Sequence, residues 1–117
     1  MSNAQTVFQK IDPKRFLAAL LLDEHGETVA RYQIAGLDIR TQQAPLDVAT
    51  RVLNYPKGLQ ILEMLQESIF YDMDGRRLIC RVIHINEHPY LLIVLTPANS
   101  AYRRALSQLI RQLTNLS

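Results

Sequence analysis

The last third of the chain constrains the fold most, because it reads as two apolar strands and an amphipathic helix in close succession. The segments RRLICRVIHI and YLLIVLTP are separated by the turn NEHP, and ANSAYRRALSQLIRQLTNL follows at once. Two apolar runs of strand length joined by a short turn pair as antiparallel neighbours. The apolar residues of this region are needed for packing and the polar ones for solvated faces, which leaves little room for catalytic groups.

The pattern of apolar residues in this region predicts the middle of a sheet with a helix packed against it. Residues 78–85 carry apolar side chains on both faces, and residues 90–95 are apolar almost throughout. Both strands are therefore expected to be covered on two sides, with residues 90–95 in the sheet interior. Asn99 or Ser100 is expected to cap the helix. The apolar stripe of the helix consists of Tyr102, Leu106, Leu109, Ile110, Leu113 and Leu116.

The first part of the chain predicts a β-hairpin. Residues 16–23 and 27–34 have strand length, and the turn DEHG between them ends in Gly26. This glycine supplies the positive φ that such a turn needs. Residues 1–12 are expected either to form a short helix or to be disordered, since Pro13 limits any continuation.

Helical periodicity follows the hairpin. After a polar, irregular stretch at residues 36–43, the pattern predicts a helix that starts near Ala44, with Pro45 in its first turn. Pro56 then interrupts the pattern before a second apolar-periodic segment at residues 59–66. The pattern leaves open whether this is one kinked helix or two short ones.

Length and composition indicate one globular domain over residues 1–117. Hydrophobic residues make up 48% and charged residues 21% of the chain, which is ordinary for a folded domain and too apolar for a disordered one. Cys80 is the only cysteine, so an internal disulfide is excluded, and its apolar surroundings predict a buried structural thiol. The sequence contains no apolar run of about 18 residues and no signal segment. By elimination this predicts a cytoplasmic protein without membrane contact.

The polar residues do not assemble into a catalytic, metal-binding or cofactor-binding pattern. His84 and His88 flank a turn, but no further ligand supports a metal site, so a solvated turn is the better interpretation. The turn DMDG resembles the start of a calcium loop, yet Gly75 comes too early and Ile83 occupies the position that needs glutamate. Glycine-rich phosphate loops and nucleophile elbows are also missing. The sequence therefore predicts a protein that is not an enzyme and that holds no cofactor.

Basic residues around the C-terminal helix form a candidate partner-binding surface. No acidic residue follows Glu87, so this end of the chain has a positive bias. A solvated face is the simpler interpretation, and contact with an acidic protein or a nucleic acid is the alternative. Nucleic acid is the weaker choice because aromatic residues do not interleave with the arginines. The residues concerned are Arg76, Arg77, Arg103, Arg104 and Arg111.

The order hairpin, helix, three-strand meander and helix resembles the roadblock/LC7 domain family. The segment LLLDEHGETVARYQIAG is similar to the first hairpin of that family, and LICRVIHINEHPYLLIVLTP with the helix after it is similar to its last strands and helix. The resemblance covers residues 16–116 and departs from the family pattern in the short first helix and the break near Pro56. It implies an α+β, roadblock/profilin-like fold with an antiparallel sheet of about five strands.

The resemblance also implies a non-catalytic domain that forms homodimers and binds a small GTPase or a signalling complex. Pairing would use the middle helix and the adjoining strand, IFYD, which reads as a short strand near an edge that another chain can extend. The matching residues are Val48, Val52, Ile61, Leu65, Ile69 and Tyr71. Two alternatives stay open. The first is that these residues fill the core of the monomer. The second concerns the function: the domain is a small-ligand sensory module of the PAS type, with an apolar pocket between sheet and helices.

Overall fold

A five-stranded antiparallel sheet lies between two helical layers in residues 2–116, the part of the chain that this computed structural model describes. The elements in chain order are α1 (Ser2–Gln9), β1 (Ala18–Asp23), β2 (Thr28–Gln33), α2 (Ile39–Asn54), α3 (Gly58–Leu65), β3 (Ser68–Tyr71), β4 (Arg77–Ile85), β5 (His88–Thr96) and α4 (Arg103–Thr114). The strand order is β2-β1-β5-β4-β3. Helices α1 and α4 pack on one face and α2 and α3 on the other. The predicted α+β class with about five antiparallel strands is confirmed.

Strand β5 occupies the centre of the sheet because its residues are apolar in both directions. It pairs with β1 on one side and with β4 on the other, and residues 91–95 are at most 1% exposed. A strand with helices above and below it has no polar face. The prediction of a sheet interior at residues 90–95 is confirmed, with Tyr90 partly exposed at its beginning.

Alternate residues of β4 supply the two halves of the core. Leu78 and Cys80 belong to the apolar cluster under α2 and α3, while Ile79 and Ile83 belong to the cluster under α1 and α4. This alternation follows from the two-residue period of a strand. The buried residues of α4 are Leu106, Leu109 and Leu113. Burial of each such side chain contributes about 2 kcal/mol, so α4 is held firmly against its face of the sheet.

The two hairpin turns DEHG and DMDG are built in the same way. In each, the first aspartate accepts hydrogen bonds from the backbone N–H groups two and four residues later, at 2.9 Å. The glycine three residues after it has a φ of 85° at Gly26 and 81° at Gly75. Asp23 and Asp72 thus fix the turns through their side chains, and glycine provides the left-handed backbone.

The turn carboxylate of Asp72 gives the fold an acid-sensitive contact. Burial raises the pKa of Asp72, but hydrogen bonds from the side chain and backbone of Arg76 and from the backbone of Asp74 outweigh it, so the pKa lies below the ordinary 3.8. A lowered pKa in the folded state adds stability at every pH above the unfolded value, and this stability is lost as the pH falls through the folded value.

We therefore expect the substitution Asp72→Asn to reduce the free energy of unfolding by an amount that is constant above about pH 5 and shrinks as the pH falls below 3.8. Urea denaturation of both proteins between about pH 6 and pH 2 measures this difference. A difference that does not change with pH would show that the charge of Asp72 does not stabilise the turn.

Helix α2 begins earlier than the sequence indicated. The prediction of an irregular stretch at residues 36–43 and a start near Ala44 is wrong, because Asp38 caps the helix by accepting a hydrogen bond of 2.7 Å from the backbone N–H of Thr41. Such a cap satisfies one of the free donors of the first turn. Pro45 consequently lies inside the helix, where it cannot donate to the carbonyl of Thr41.

The segment between α2 and α3 separates two helices, which settles the choice that the sequence left open. Tyr55 ends α2 in an extended conformation, and Lys57 adopts the left-handed conformation with a φ of 58°. Gly58 then begins α3 at a close approach of backbone to backbone: a Cβ at this position would lie 1.9 Å from the carbonyl oxygen of Val52. Only glycine fits there without a shift of one helix.

The first and last helices complete one face of the sheet. Residues 2–9 form α1, one of the two outcomes expected for residues 1–12, and Phe8 is fully buried in the core. The expected cap at Asn99 or Ser100 is wrong, since the N-cap residue of α4 is Tyr102. Asn99 has a φ of 59°, and the Ser100 hydroxyl donates to the carbonyl of Pro97.

Candidate interaction surfaces

The two edge strands of the sheet, β2 and β3, differ in whether their outward backbone groups have hydrogen-bond partners. At the β2 edge, the side-chain amide of Gln5 in α1 donates to the carbonyl of Arg31 at 3.0 Å and accepts from the N–H of Arg31 at 3.0 Å. The amide thus replaces part of a neighbouring strand. Free backbone groups on an edge invite pairing with another chain, and α1 reduces that risk at β2.

The β3 edge carries no such cover in residues 2–116. The N–H of Asp72 donates to the carbonyl of Arg76 at 3.0 Å, and hydrogen-bonded and non-hydrogen-bonded pairs alternate along an antiparallel ladder. The pairs Tyr71–Arg77 and Ile69–Ile79 are therefore the non-hydrogen-bonded ones. The backbone N–H and carbonyl groups of Ile69 and Tyr71 point away from β4 and are directed at the open edge.

Large apolar side chains are exposed around this open edge. On α3, Ile61, Met64 and Leu65 are spaced at i, i+3 and i+4, so they share one outward face. The next strand, β3, exposes Phe70 and Tyr71. We call these five residues the α3–β3 surface; Met64 is 82% and Tyr71 68% exposed. Phe70 pairs with Leu78 on the α3 side of the sheet, and Tyr71 pairs with Arg77 on the other side, so the two flank the edge. Exposed apolar side chains gathered in this way mark contact sites for other proteins.

The six residues predicted for the dimer interface fall into two groups. Ile61, Leu65 and Tyr71 are exposed and belong to the α3–β3 surface. The other three are partly buried and pack against the core clusters: Val48, Val52 and Ile69. The prediction thus combined surface positions with core positions on neighbouring elements.

The predicted basic residues also separate in space. Arg76 is bound within its own turn, with ion pairs of 2.7 Å to Asp72 and 3.0 Å to Asp74. Three of the other arginines line one cleft between α1 and α4: Arg77, Arg103 and Arg104. Arg111 is exposed on α4 outside the lining of this cleft. The structure therefore forms a basic cleft from part of the set rather than one continuous surface.

Glu67, which follows α3, connects the α3–β3 segment to the start of α4. Its carboxylate accepts hydrogen bonds from the hydroxyl of Tyr102 at 2.9 Å and from Arg81 and Arg103 at 3.5 and 3.4 Å. Burial and the adjacent Glu67 carboxylate raise the pKa of Tyr102, so its hydroxyl stays protonated and donates. The ring of Tyr102 also lies 4.9 Å from the guanidinium of Arg77.

Reactive groups are not gathered at either surface. Burial raises the pKa of the Cys80 thiol to about 12, so Cys80 is a packed side chain and not a nucleophile at neutral pH. In residues 2–116 no three His, Cys, Asp or Glu side chains lie close enough together to hold a metal ion. Within the same residues, every helix is too short or too polar to cross a bilayer.

Comparison with solved structures identifies the architecture. The gliding protein MglB from Thermus thermophilus superposes with a TM-score of 0.69 at 18% identity, over 97% of this chain and 87% of that chain. A roadblock/LC7 domain from Streptomyces avermitilis superposes with a TM-score of 0.55 at 13% identity, over 93% of this chain and 86% of that chain. The fold is that of the roadblock/LC7 domain.

The sequence of this chain differs strongly from the sequences of known proteins with the same fold. An MglB structure with a tetrameric arrangement has a TM-score of 0.61 at 20% identity, over 96% of this chain and 88% of that chain. No family model and no curated protein matches the sequence. The resemblance first seen in the hairpin and in the last strands is therefore confirmed at the level of the fold.

On the roadblock/LC7 fold, the sequence prediction of surface residues missed Met64 and Phe70. A signal for Met64 was present, since the apolar positions of α3 occupy both sides of the helix and only Leu59 and Leu62 pack against the core. Phe70 alternates with Ile69 on a strand whose two faces are both apolar. A segment with more apolar residues than one core can bury therefore indicates, from sequence alone, that some of them lie on the surface.

Proposed function

We propose that this chain is a non-catalytic regulatory domain of the cytoplasm that self-associates through its α3–β3 surface and binds a protein partner. The single observation that carries the proposal is the asymmetry of the sheet edges. Gln5 binds the outward backbone groups of Arg31 on β2, whereas the outward groups of Ile69 and Tyr71 on β3 lie open beside exposed apolar side chains. A second copy that pairs with β3 would satisfy these groups and extend the sheet.

The chemistry of the α3–β3 surface supports a second copy of the chain as the first occupant. A two-fold axis beside β3 places the same residues of both copies against each other, so an apolar patch meets an apolar patch. Burial of the exposed parts of Ile61, Met64, Leu65 and Phe70 supplies the driving force. One MglB structure of the same fold is described with a tetrameric arrangement, which supports self-association as a use of this fold.

The more specific form of the proposal is that the partner is a small GTPase. It rests on the roadblock/LC7 fold and on the gliding proteins that share it. The large apolar side chains that residues 2–116 expose support a role in contact with another protein. The domain would then act by shape and contact on an enzyme that performs the chemistry itself.

Analytical ultracentrifugation at micromolar concentration tests self-association. We expect a sedimenting species of at least twice the 13.4 kDa chain mass, because an open edge and an apolar patch act together. A strict monomer at these concentrations would contradict the proposal.

Affinity capture tests the partner. Immobilised protein is incubated with extract of its own cells, once with GDP and once with a non-hydrolysable GTP analogue, and retained proteins are identified by mass spectrometry. We expect a small GTPase to be enriched in one nucleotide condition over the other. Absence of any small GTPase from both samples would contradict the specific form of the proposal while leaving self-association untouched.

A further inference from the structure

A cleft of about 700 Å³ lies between α1, the loop before α4, and α4 itself. Its apolar lining includes the partly buried Val7 and Ile11 of the first segment and the buried Phe16, Tyr102 and Leu109. This volume is within the range of roughly 300–1,000 Å³ that small-molecule sites occupy. The cleft lies on the α1–α4 side of the sheet, whereas α3 packs on the opposite side.

The cleft is strongly cationic. Among the described residues, its lining contains one carboxylate, Asp12, and these five cationic side chains: Lys10, Arg15, Arg77, Arg103 and Arg104. A concave surface with one sign of charge concentrates ions of the opposite sign. The ligand of such a cleft is expected to be an anion.

Most of these charges are not neutralised by the protein. Arg15 and Arg77 donate to the neutral backbone carbonyls of Ala101 and Ser100, which position the guanidinium groups and leave their charge in place. Within residues 2–116, Arg103 is the one cation of the lining with a carboxylate in ion-pair distance, Glu67 at 3.4 Å. The Arg104 side chain is exposed and forms none of the side-chain hydrogen bonds or ion pairs found in those residues.

The start of α4 adds a second feature that favours an anion. Its first residues, Arg103, Arg104 and Ala105, all line the cleft, and the N-cap residue Tyr102 gives the helix no side-chain hydrogen bond. The first N–H groups of a helix are free donors and carry a partial positive charge. Guanidinium groups around a helix start form an arrangement that suits a phosphate group, which offers several acceptor oxygens and up to two negative charges.

We propose that the cleft between α1 and α4 binds a small, soluble organic phosphate. The phosphate contacts Arg104, Arg15 and the start of α4, and the apolar part of the ligand lies against Val7 and Ile11. This site is separate from the proposed self-association surface, because none of the five residues of the α3–β3 surface lines the cleft. It would let a phosphorylated small molecule regulate a dimer without occupying its interface.

Isothermal titration calorimetry with three matched probes tests the site. We expect hexyl phosphate to bind, inorganic phosphate to bind about tenfold more weakly because the apolar contact is lost, and hexanol not to bind. Backbone amide NMR shifts caused by hexyl phosphate should cluster in α1, residues 98–102 and α4. No heat and no shifts with hexyl phosphate would overturn the proposal, as would binding to phosphatidic acid vesicles without binding of soluble hexyl phosphate.

Two substitutions on the same helix separate the cleft from general electrostatics. Arg104→Gln should weaken hexyl phosphate binding about five- to tenfold, since one charge-assisted contact is lost. Arg111→Gln removes the same charge from an exposed position of α4 outside the cleft, and should leave the affinity unchanged. Both side chains are exposed, so neither change endangers the fold. Equal losses in the two variants would overturn the proposal, because they would show a response to net charge alone.

Discussion

Replacing Leu65 and Tyr71 together by lysine is expected to convert the self-associated protein into monomers. Both side chains are more than half exposed, at 61% and 68%, so the substitutions leave the core of each copy intact. In a two-fold interface every copy contributes both lysines, which places like charges opposite each other in a region without water.

The expected magnitude is large. Burial of an unpaired ammonium group costs several kcal/mol, and each 1.4 kcal/mol is about a tenfold change in Kd. We expect the dissociation constant of the dimer to rise by roughly 100-fold or more. Sedimentation velocity over a concentration series of both proteins measures the change.

A matched control lies on the other edge of the sheet. Thr28 is exposed on β2, so Thr28→Lys adds one lysine, half the charge of the double variant, to an edge strand away from α3 and β3. We expect this variant to associate like the parent chain. Association that is unaffected by Leu65→Lys with Tyr71→Lys, or equally weakened by Thr28→Lys, would exclude the α3–β3 surface as the interface.

The substitution Phe8→Ala in α1 is expected to cause a large loss in the free energy of unfolding. Phe8 is fully buried in the core cluster beside Phe16 and Leu113. Removal of a buried aromatic ring eliminates its transfer free energy and leaves a cavity, which together cost about 3 kcal/mol or more. Urea denaturation followed by circular dichroism, at one fixed protein concentration because association adds to stability, measures the loss.

The neighbouring Gln9 provides the control for Phe8. Its side chain is exposed on the same helix, so Gln9→Ala should change the free energy of unfolding by less than about 0.5 kcal/mol. A loss of less than about 1 kcal/mol in Phe8→Ala would mean that α1 is not part of the cooperative fold.

Much of the sheet was predictable because strand periodicity and turn chemistry are local properties. The turns DEHG and DMDG required only an aspartate and a glycine at fixed spacing, and both hairpins formed as expected. The sheet interior at β5 followed from an uninterrupted apolar run. The turns and the central strand depend on residues that are close together in the chain, so they can be predicted from a single sequence.

The sequence pattern was least informative at helix ends and surfaces, where single contacts and the choice of buried face decide the outcome. The start of α2 was misplaced because a polar stretch and Pro45 weakened the helical pattern, while the cap from Asp38 to Thr41 is a single contact. Of the six predicted interface residues, three are exposed and three are partly buried against the core, and the interface itself stays a prediction. The sequence shows which residues of a helix are apolar, but when a helix has two apolar faces it does not show which one packs against the sheet.

The sequence by itself determined the class of the fold, the five strands with their turns, and the terminal amphipathic helix, because each follows from short-range spacing of apolar and turn-forming residues. Only the tertiary structure decided that Gln5 covers one sheet edge while β3 stays open, since this contact joins residues 26 positions apart. It also decided which arginines face one cleft. Edges and clefts exist only after distant segments have packed, and packing over such distances is not contained in local pattern.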